Sequence, residues 1–252
     1  MPDTALEGST TWIRRFHPAP GAGARVVCFP HAGGSASFYR PVSTALRPGI
    51  EVLTVQYPGR QDRRAEQPFT DLRTLADRTF DALEPWLDSP LALFGHSMGA
   101  LIAYEIALRM ERESRPPTVL IASGRRAPSL GGSENVHRRD DNGIVAEIKR
   151  LSGTDARLLD DPEMLRAVLP AVRADYQAVE TYTGDPGAAL SCPVEVFAGD
   201  NDSQVTAEQA RAWHRHAAGN FTVRWFSGGH FYLTEQPAAV IERLGETVRS
   251  YS

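Results

Sequence analysis

Cysteine is scarce in this sequence of 252 residues, which holds only Cys28 and Cys192. Two thiols cannot form the disulfide framework that staples small secreted domains, so a reducing compartment, the cytoplasm, is expected. Lysine is scarcer still: Lys149 stands alone, and arginine supplies the rest of the positive charge. The formal net charge is −4, and a slightly acidic chain carries no electrostatic footprint for nucleic acid. No apolar run approaches the roughly 18 residues that span a membrane, and Met1 to Phe16 lacks the basic, apolar and small-residue order of a signal peptide. No His, Cys and Asp cluster has metal-ligand spacing, and no glycine loop matches a P-loop or dinucleotide fingerprint. The expectation is a cofactor-free and metal-free protein, with neither nucleic acid nor membrane as partner.

What is present reads as one α/β domain over residues 1–252. Strand patterns fall at Thr10–Phe16, Arg25–Phe29, Glu51–Gln56, Leu91–Phe94, Thr118–Ala122, Val194–Ala198 and Phe221–Phe226. Several are continuous apolar runs, such as Val26-Val27-Cys28-Phe29, which is how strands buried on both faces of a parallel sheet read. Helical patterns alternate with them at Phe38–Leu46, Asp71–Leu87, Met98–Arg112, Ala207–Ala217 and Pro237–Ser250. Thr206 and Gln209 have capping-box spacing, and Pro237 suits a first helical turn. This alternation predicts a mostly parallel sheet with helices on both faces. Between Ala122 and Val194 the rhythm breaks. The stretch 125–190 opens as a polar loop and continues as helices at Ile144–Leu151, Pro162–Leu169 with Asp161 as cap, and Pro170 through Tyr182. Such an insertion is a candidate lid, the alternative being a solvated helical excursion.

The chemistry concentrates on Gly95-His96-Ser97-Met98-Gly99, between the apolar run Leu91–Phe94 and an apolar helix. A nucleophile elbow needs this arrangement: a turn too tight for side chains at its flanks, with the serine at a helix N-terminus. A serine hydroxyl needs a base. His230, in Ser227-Gly228-Gly229-His230-Phe231, follows the last strand and lies at the same sheet edge. His96 is assigned a packing role, and His17, His137, His214 and His216 solvated or structural ones. The orienting acid follows Val194–Ala198 in Gly199-Asp200-Asn201-Asp202. Asp202 is placed to reach His230, and Asp200 to brace the turn. Two N–H donors are needed for the oxyanion. One is Met98, and the other is assigned to Ala32 in Pro30-His31-Ala32-Gly33-Gly34, with His31 bracing that loop. Cys28, between Val27 and Phe29, reads as a small buried hydrophobe.

Taken together, Phe29-Pro30-His31-Ala32-Gly33-Gly34, Tyr57-Pro58-Gly59-Arg60-Gln61-Asp62-Arg63, Phe94 to Gly99, Ser123-Gly124-Arg125-Arg126-Ala127-Pro128 and Gly228-Gly229-His230-Phe231 resemble the type II, stand-alone thioesterases of polyketide synthase and nonribosomal peptide synthetase systems. The resemblance runs in order along nearly the whole chain. It implies the α/β-hydrolase fold with a helical lid, Ser97, Asp202 and His230 as triad, and the Met98 and Ala32 amides as oxyanion donors. It also implies hydrolysis of acyl thioesters on the phosphopantetheine arm of an acyl or peptidyl carrier protein. Arg125, Arg126, Arg138 and Arg139 are a candidate docking patch for such a carrier, against ordinary pairing with neighbours such as Asp140 and Asp141. The start at Met1 with no synthase segment fits a separate editing enzyme, expected to be a monomer. A general ester or acyl-CoA hydrolase, a chain-releasing thioesterase and a non-catalytic binder on this scaffold are the alternatives.

Overall fold

The structure is a computed structural model and describes residues 11–132, 134–151 and 162–252. Its centre is a seven-stranded sheet of β1 (Ile13–Arg14), β2 (Ala24–Phe29), β3 (Ile50–Val55), β4 (Ala92–His96), β5 (Val119–Ser123), β6 (Val194–Gly199) and β7 (Phe221–Phe226). The spatial order is β1-β3-β2-β4-β5-β6-β7. Only β1 runs antiparallel, pairing Ile13 with Val55 and Arg14 with Thr54 at one edge. The first strand is shorter than its sequence pattern: beyond Arg14, Arg15 turns to the Glu51 carboxylate and Pro18 offers no N–H to extend a ladder.

Period-two alternation divides the strand residues between two faces. Val27, Phe29, Leu53, Leu93, Leu120 and Val196 form one core with α2 (Leu72–Leu83) and α3 (Met98–Arg112). Val26, Cys28, Val52, Phe94, Ile121 and Phe197 form the other, against α1 (Arg40–Leu46) and the C-terminal helix Pro237–Ser250. β7, the far edge, alternates half-buried with exposed residues, as an edge strand should. Helix α3 is buried nearly all round from Met98 to Ala107, so it packs beneath the sheet centre rather than on the surface.

The insertion holds α4 (Asp141–Leu151) and α5 (Pro162–Glu180). Asp161, the expected cap, lies outside the described residues. The break expected at Pro170 is absent: α5 continues through it as one helix. Packing carries the helix across the missing backbone bond. Leu169 and Val172, on either side of the proline, seat in a cluster with Val136 and Ile144, while Pro170 itself faces solvent. The remaining helices are α6 (Ala207–Arg211), opened by the Thr206–Gln209 capping box, α7 (Tyr232–Glu235) and α8 (Pro237–Ser250).

Candidate active site

Parallel pairing brings the ends of five strands to one edge, with Phe29 opposite Gly95, His96 opposite Ser123 and Gly199 opposite Phe226. The loops leaving that edge carry Ala32, Ser97, Arg125, Asp202 and His230. Ligands of open α/β sheets bind outside this carboxyl end.

Between β4 and α3, Ser97 takes φ 54° and ψ −113°, a conformation that L residues rarely adopt. Its N–H donates to the Ser123 carbonyl at 2.8 Å, and its carbonyl accepts from Ala100 at 3.1 Å. The flanking glycines are obligatory. A Cβ on Gly95 would stand 2.0 Å from the Gly99 carbonyl oxygen, and one on Gly99 would stand 1.9 Å from the Phe29 oxygen.

The doubled aspartate separates into two jobs. The Asp200 N–H donates to the Phe226 carbonyl (2.8 Å), and its Oδ1 accepts from the Gly228 N–H (3.0 Å), closing the β6 and β7 loops on each other. Asp202 is withdrawn from solvent: Oδ2 lies 2.9 Å from His230 Nδ1, and Oδ1 accepts from the Gln204 N–H at 2.7 Å. His230 and Ser97 line one cavity of about 60 Å³ with His31, Ala32 and Phe231. Ile148 and Leu151 of α4 and Tyr176 and Val179 of α5 complete its apolar wall.

His31 and His96 support the site without reaching solvent. His31 packs edge-on against Phe38 and Phe231, with ring centroids 4.7 and 4.9 Å away. Burial, then the nearby His230 and Arg60, hold its imidazole down to about 3, so it stays neutral. His96 lies 5.1 Å from His230 between ring centroids, and burial likewise keeps it well below the usual histidine range. Its Nδ1 pairs with the Ser123 hydroxyl at 2.8 Å, which meets the Tyr232 hydroxyl at 2.5 Å. His216 is fully buried and does not line this cavity; it sits between Ser129 Oγ and the Ala188 carbonyl.

The arginines expected to form a docking patch are mostly engaged. Arg126 pairs with Glu134 (2.6 Å) and Arg139 with Glu147 (3.2 Å). Arg125 faces inward on the cavity, where burial and then Arg126 lower its guanidinium to about 10. Arg138 and Arg139 are the two of the four that are exposed at the surface, as the patch required.

Some residues of the site were not read from the sequence. Tyr232, Ser123 and Gln204 support the histidines and Asp202 only through the fold. Asp175 of α5 had a readable signal, a carboxylate among the apolar positions Val172, Tyr176 and Val179.

A serine elbow on a mostly parallel, helix-covered sheet, with a carboxylate-held imidazole in the same cavity, places the molecule among the α/β-hydrolases. A thioesterase-domain family model matches residues 24–248. A probable cadicidin biosynthesis thioesterase from Streptomyces griseus is 51% identical over 245 residues, 97% of this chain and 68% of that protein. Thioesterase PikA5 from Streptomyces venezuelae is 53% identical over 230 residues, 90% and 82% of the two chains. The solved type II thioesterase BorB, from the borrelidin biosynthetic cluster, superposes with a TM-score of 0.87 at 47% identity, covering 94% of this chain and 97% of its own. The chain belongs to the thioesterase family, with the type II thioesterases of natural-product assembly, and is an enzyme that hydrolyses thioesters.

Proposed function

We propose that this thioesterase clears acyl units from the phosphopantetheine arm of acyl or peptidyl carrier proteins, restoring assembly lines stalled by a wrong or inert group. The observation that supports it most directly is the cavity holding Ser97 beside His230, whose Nδ1 is engaged by Asp202. With Nδ1–H donated to Asp202, His230 Nε2 is the free base for the Ser97 hydroxyl. Ser97 attacks the thioester carbonyl, and the Met98 and Ala32 amides receive the oxyanion. The neighbouring amides are already committed, Gly33 N–H to Asp175 Oδ2 (2.7 Å) and Gly34 N–H to the His31 carbonyl (2.9 Å). Ala32, which lines the same cavity as Ser97, is therefore the residue of that loop whose amide we assign as the second donor. The pantetheine sulfur leaves as a thiolate that takes the proton from His230. Water then attacks the acyl-enzyme with His230 again as base, and the proton it accepts returns to Ser97 as the acid is released.

In this reading residues 125–190 form a lid within one domain spanning 1–252. Helices α4 and α5 give the acyl group an apolar wall and exclude water from the acyl-enzyme. Among the described residues no helix is long and apolar enough to cross a membrane, and the proposed setting is a cytoplasmic monomer meeting its carrier in solution. Hydrolysis of short acyl groups from a phosphopantetheinylated carrier, run beside the same acyl-CoA with wild type and Ser97→Ala, tests the assignment. Faster release from the carrier, lost in the variant, is the expected result. Equal or better turnover of acyl-CoA would leave the thioesterase and remove the carrier role.

A further inference from the structure

Helix α5 does more than wall the cavity. It rests on the two glycine loops that follow β2 and β3. A Cβ on Gly33 (φ +75°) would stand 3.0 Å from Val172 Cγ2, and one on Gly59 (φ +84°) would stand 3.2 Å from Ala171 Cβ. Between these contacts Asp175, 1% exposed, reaches down from α5. Its Oδ2 accepts from the Gly33 N–H at 2.7 Å and pairs with the guanidinium of Arg60. Arg60, 6% exposed, sits in the Pro58-Gly59-Arg60 segment. It donates to the Gly34 carbonyl (3.2 Å) and to the Pro58 carbonyl (2.6 Å). One buried ion pair thus holds Gly33 by its amide and Gly34 by its carbonyl.

As a stabilising device this pair is poor. Two charges have been taken out of water, and Asp175 Oδ1 is buried without a hydrogen-bond partner among the described residues, an arrangement that costs about as much as the pairing returns. Burial accordingly raises the carboxyl above the usual aspartate range despite the arginine. What the arrangement does supply is direction. The Gly33 N–H belongs to the Ala32–Gly33 peptide unit, so fixing that amide fixes the plane adjoining the Ala32 Cα, one residue's φ and ψ from the Ala32 N–H.

We propose that Asp175 and Arg60 are positioning residues for the oxyanion site: α5 must be seated, with its carboxylate on Gly33, for the Ala32 amide to face the substrate oxygen. This rests on Ser97 as nucleophile and Ala32 as oxyanion donor. Lid and oxyanion loop are then one unit, and an acyl group that displaces α5 also dismantles the donor needed to hydrolyse it.

The test uses the intact chain with Asp175→Ala, Asp175→Asn, Arg60→Lys and Ser97→Ala. Carrier-bound acyl turnover is measured beside affinity for an alkyl boronic acid, which forms a tetrahedral adduct with the serine. Thermal melting shows which variants fold. In folded Asp175→Ala, kcat is expected to fall roughly 10- to 100-fold with KM nearly unchanged, approaching the loss of one oxyanion donor. Boronate affinity should fall by a similar factor, and Asp175→Asn, which still accepts from Gly33, should recover part of both. Arg60→Lys supplies a second variant should Asp175→Ala not fold. Unchanged boronate affinity in a folded variant, or a loss confined to KM, overturns the proposal and leaves the Ser97 reading intact. Activity surviving in Ser97→Ala overturns both.

Discussion

At the scale of single residues the site depends on a few atoms. Ser97→Ala is expected to lower carrier-thioester turnover by at least ~10⁴-fold with the melting temperature nearly unchanged, since alanine inherits the backbone conformation and loses only the hydroxyl. Asp202→Asn should cost ~10²–10⁴-fold in kcat by presenting the wrong group to His230 Nδ1. His31 and His96 give a stability signature instead. Unfolded, each imidazole takes up a proton near 6.5; folded, His31 does so only at about 3 and His96 also well below 6.5. The unfolded chain binds more protons across that window, so stability is complete above pH 6.5 and falls as pH drops towards 3. The slope is up to about 1.4 kcal/mol per pH unit for each histidine. Urea midpoints at about pH 7 and about pH 5 should differ less in His31→Gln than in wild type. Ser97, His230 and Asp202, the triad proposed above, and the elbow glycines could be marked in the sequence because the proposed chemistry needs a particular residue type at a fixed distance from a strand end. The His96, Ser123 and Tyr232 chain was not, because its links span 27 and 109 positions and are made only by the β4–β5 register and the seating of α7 against it.

Among the elements, the close approach of β2, β4 and α3 is the least forgiving contact. Gly99→Ala would drive a methyl group into the Phe29 carbonyl. A destabilisation above ~3 kcal/mol is expected, seen as insolubility or a collapsed melting transition. Helix α5 offers the opposite case. Pro170 is exposed in its interior, so Pro170→Ala should restore a backbone bond and raise stability by about 2 kcal/mol, read as a higher melting temperature. Strand and helix positions were readable from apolar runs and periodicity to within a few residues. The errors fell where tertiary contacts override local preference, at the β1 edge and across Pro170.

On the scale of the whole molecule, both cysteines are enclosed by the fold. Burial pushes the Cys28 thiol far up and Cys192 up to about 12, so neither presents thiolate at neutral pH. Native protein should react negligibly with a disulfide-exchange reagent, while denatured protein should release the full equivalent of its two thiols. The distribution of amines is more uneven. The only lysine, Lys149, is exposed in the last turn of α4, the helix that contributes Ile148 and Leu151 to the cavity wall. An amine-reactive fluorophore therefore has a single side-chain target, and that target rides on a helix of the cavity wall. The unmutated enzyme carries its own attachment point for an optical reporter of how that wall responds when an acylated carrier is added.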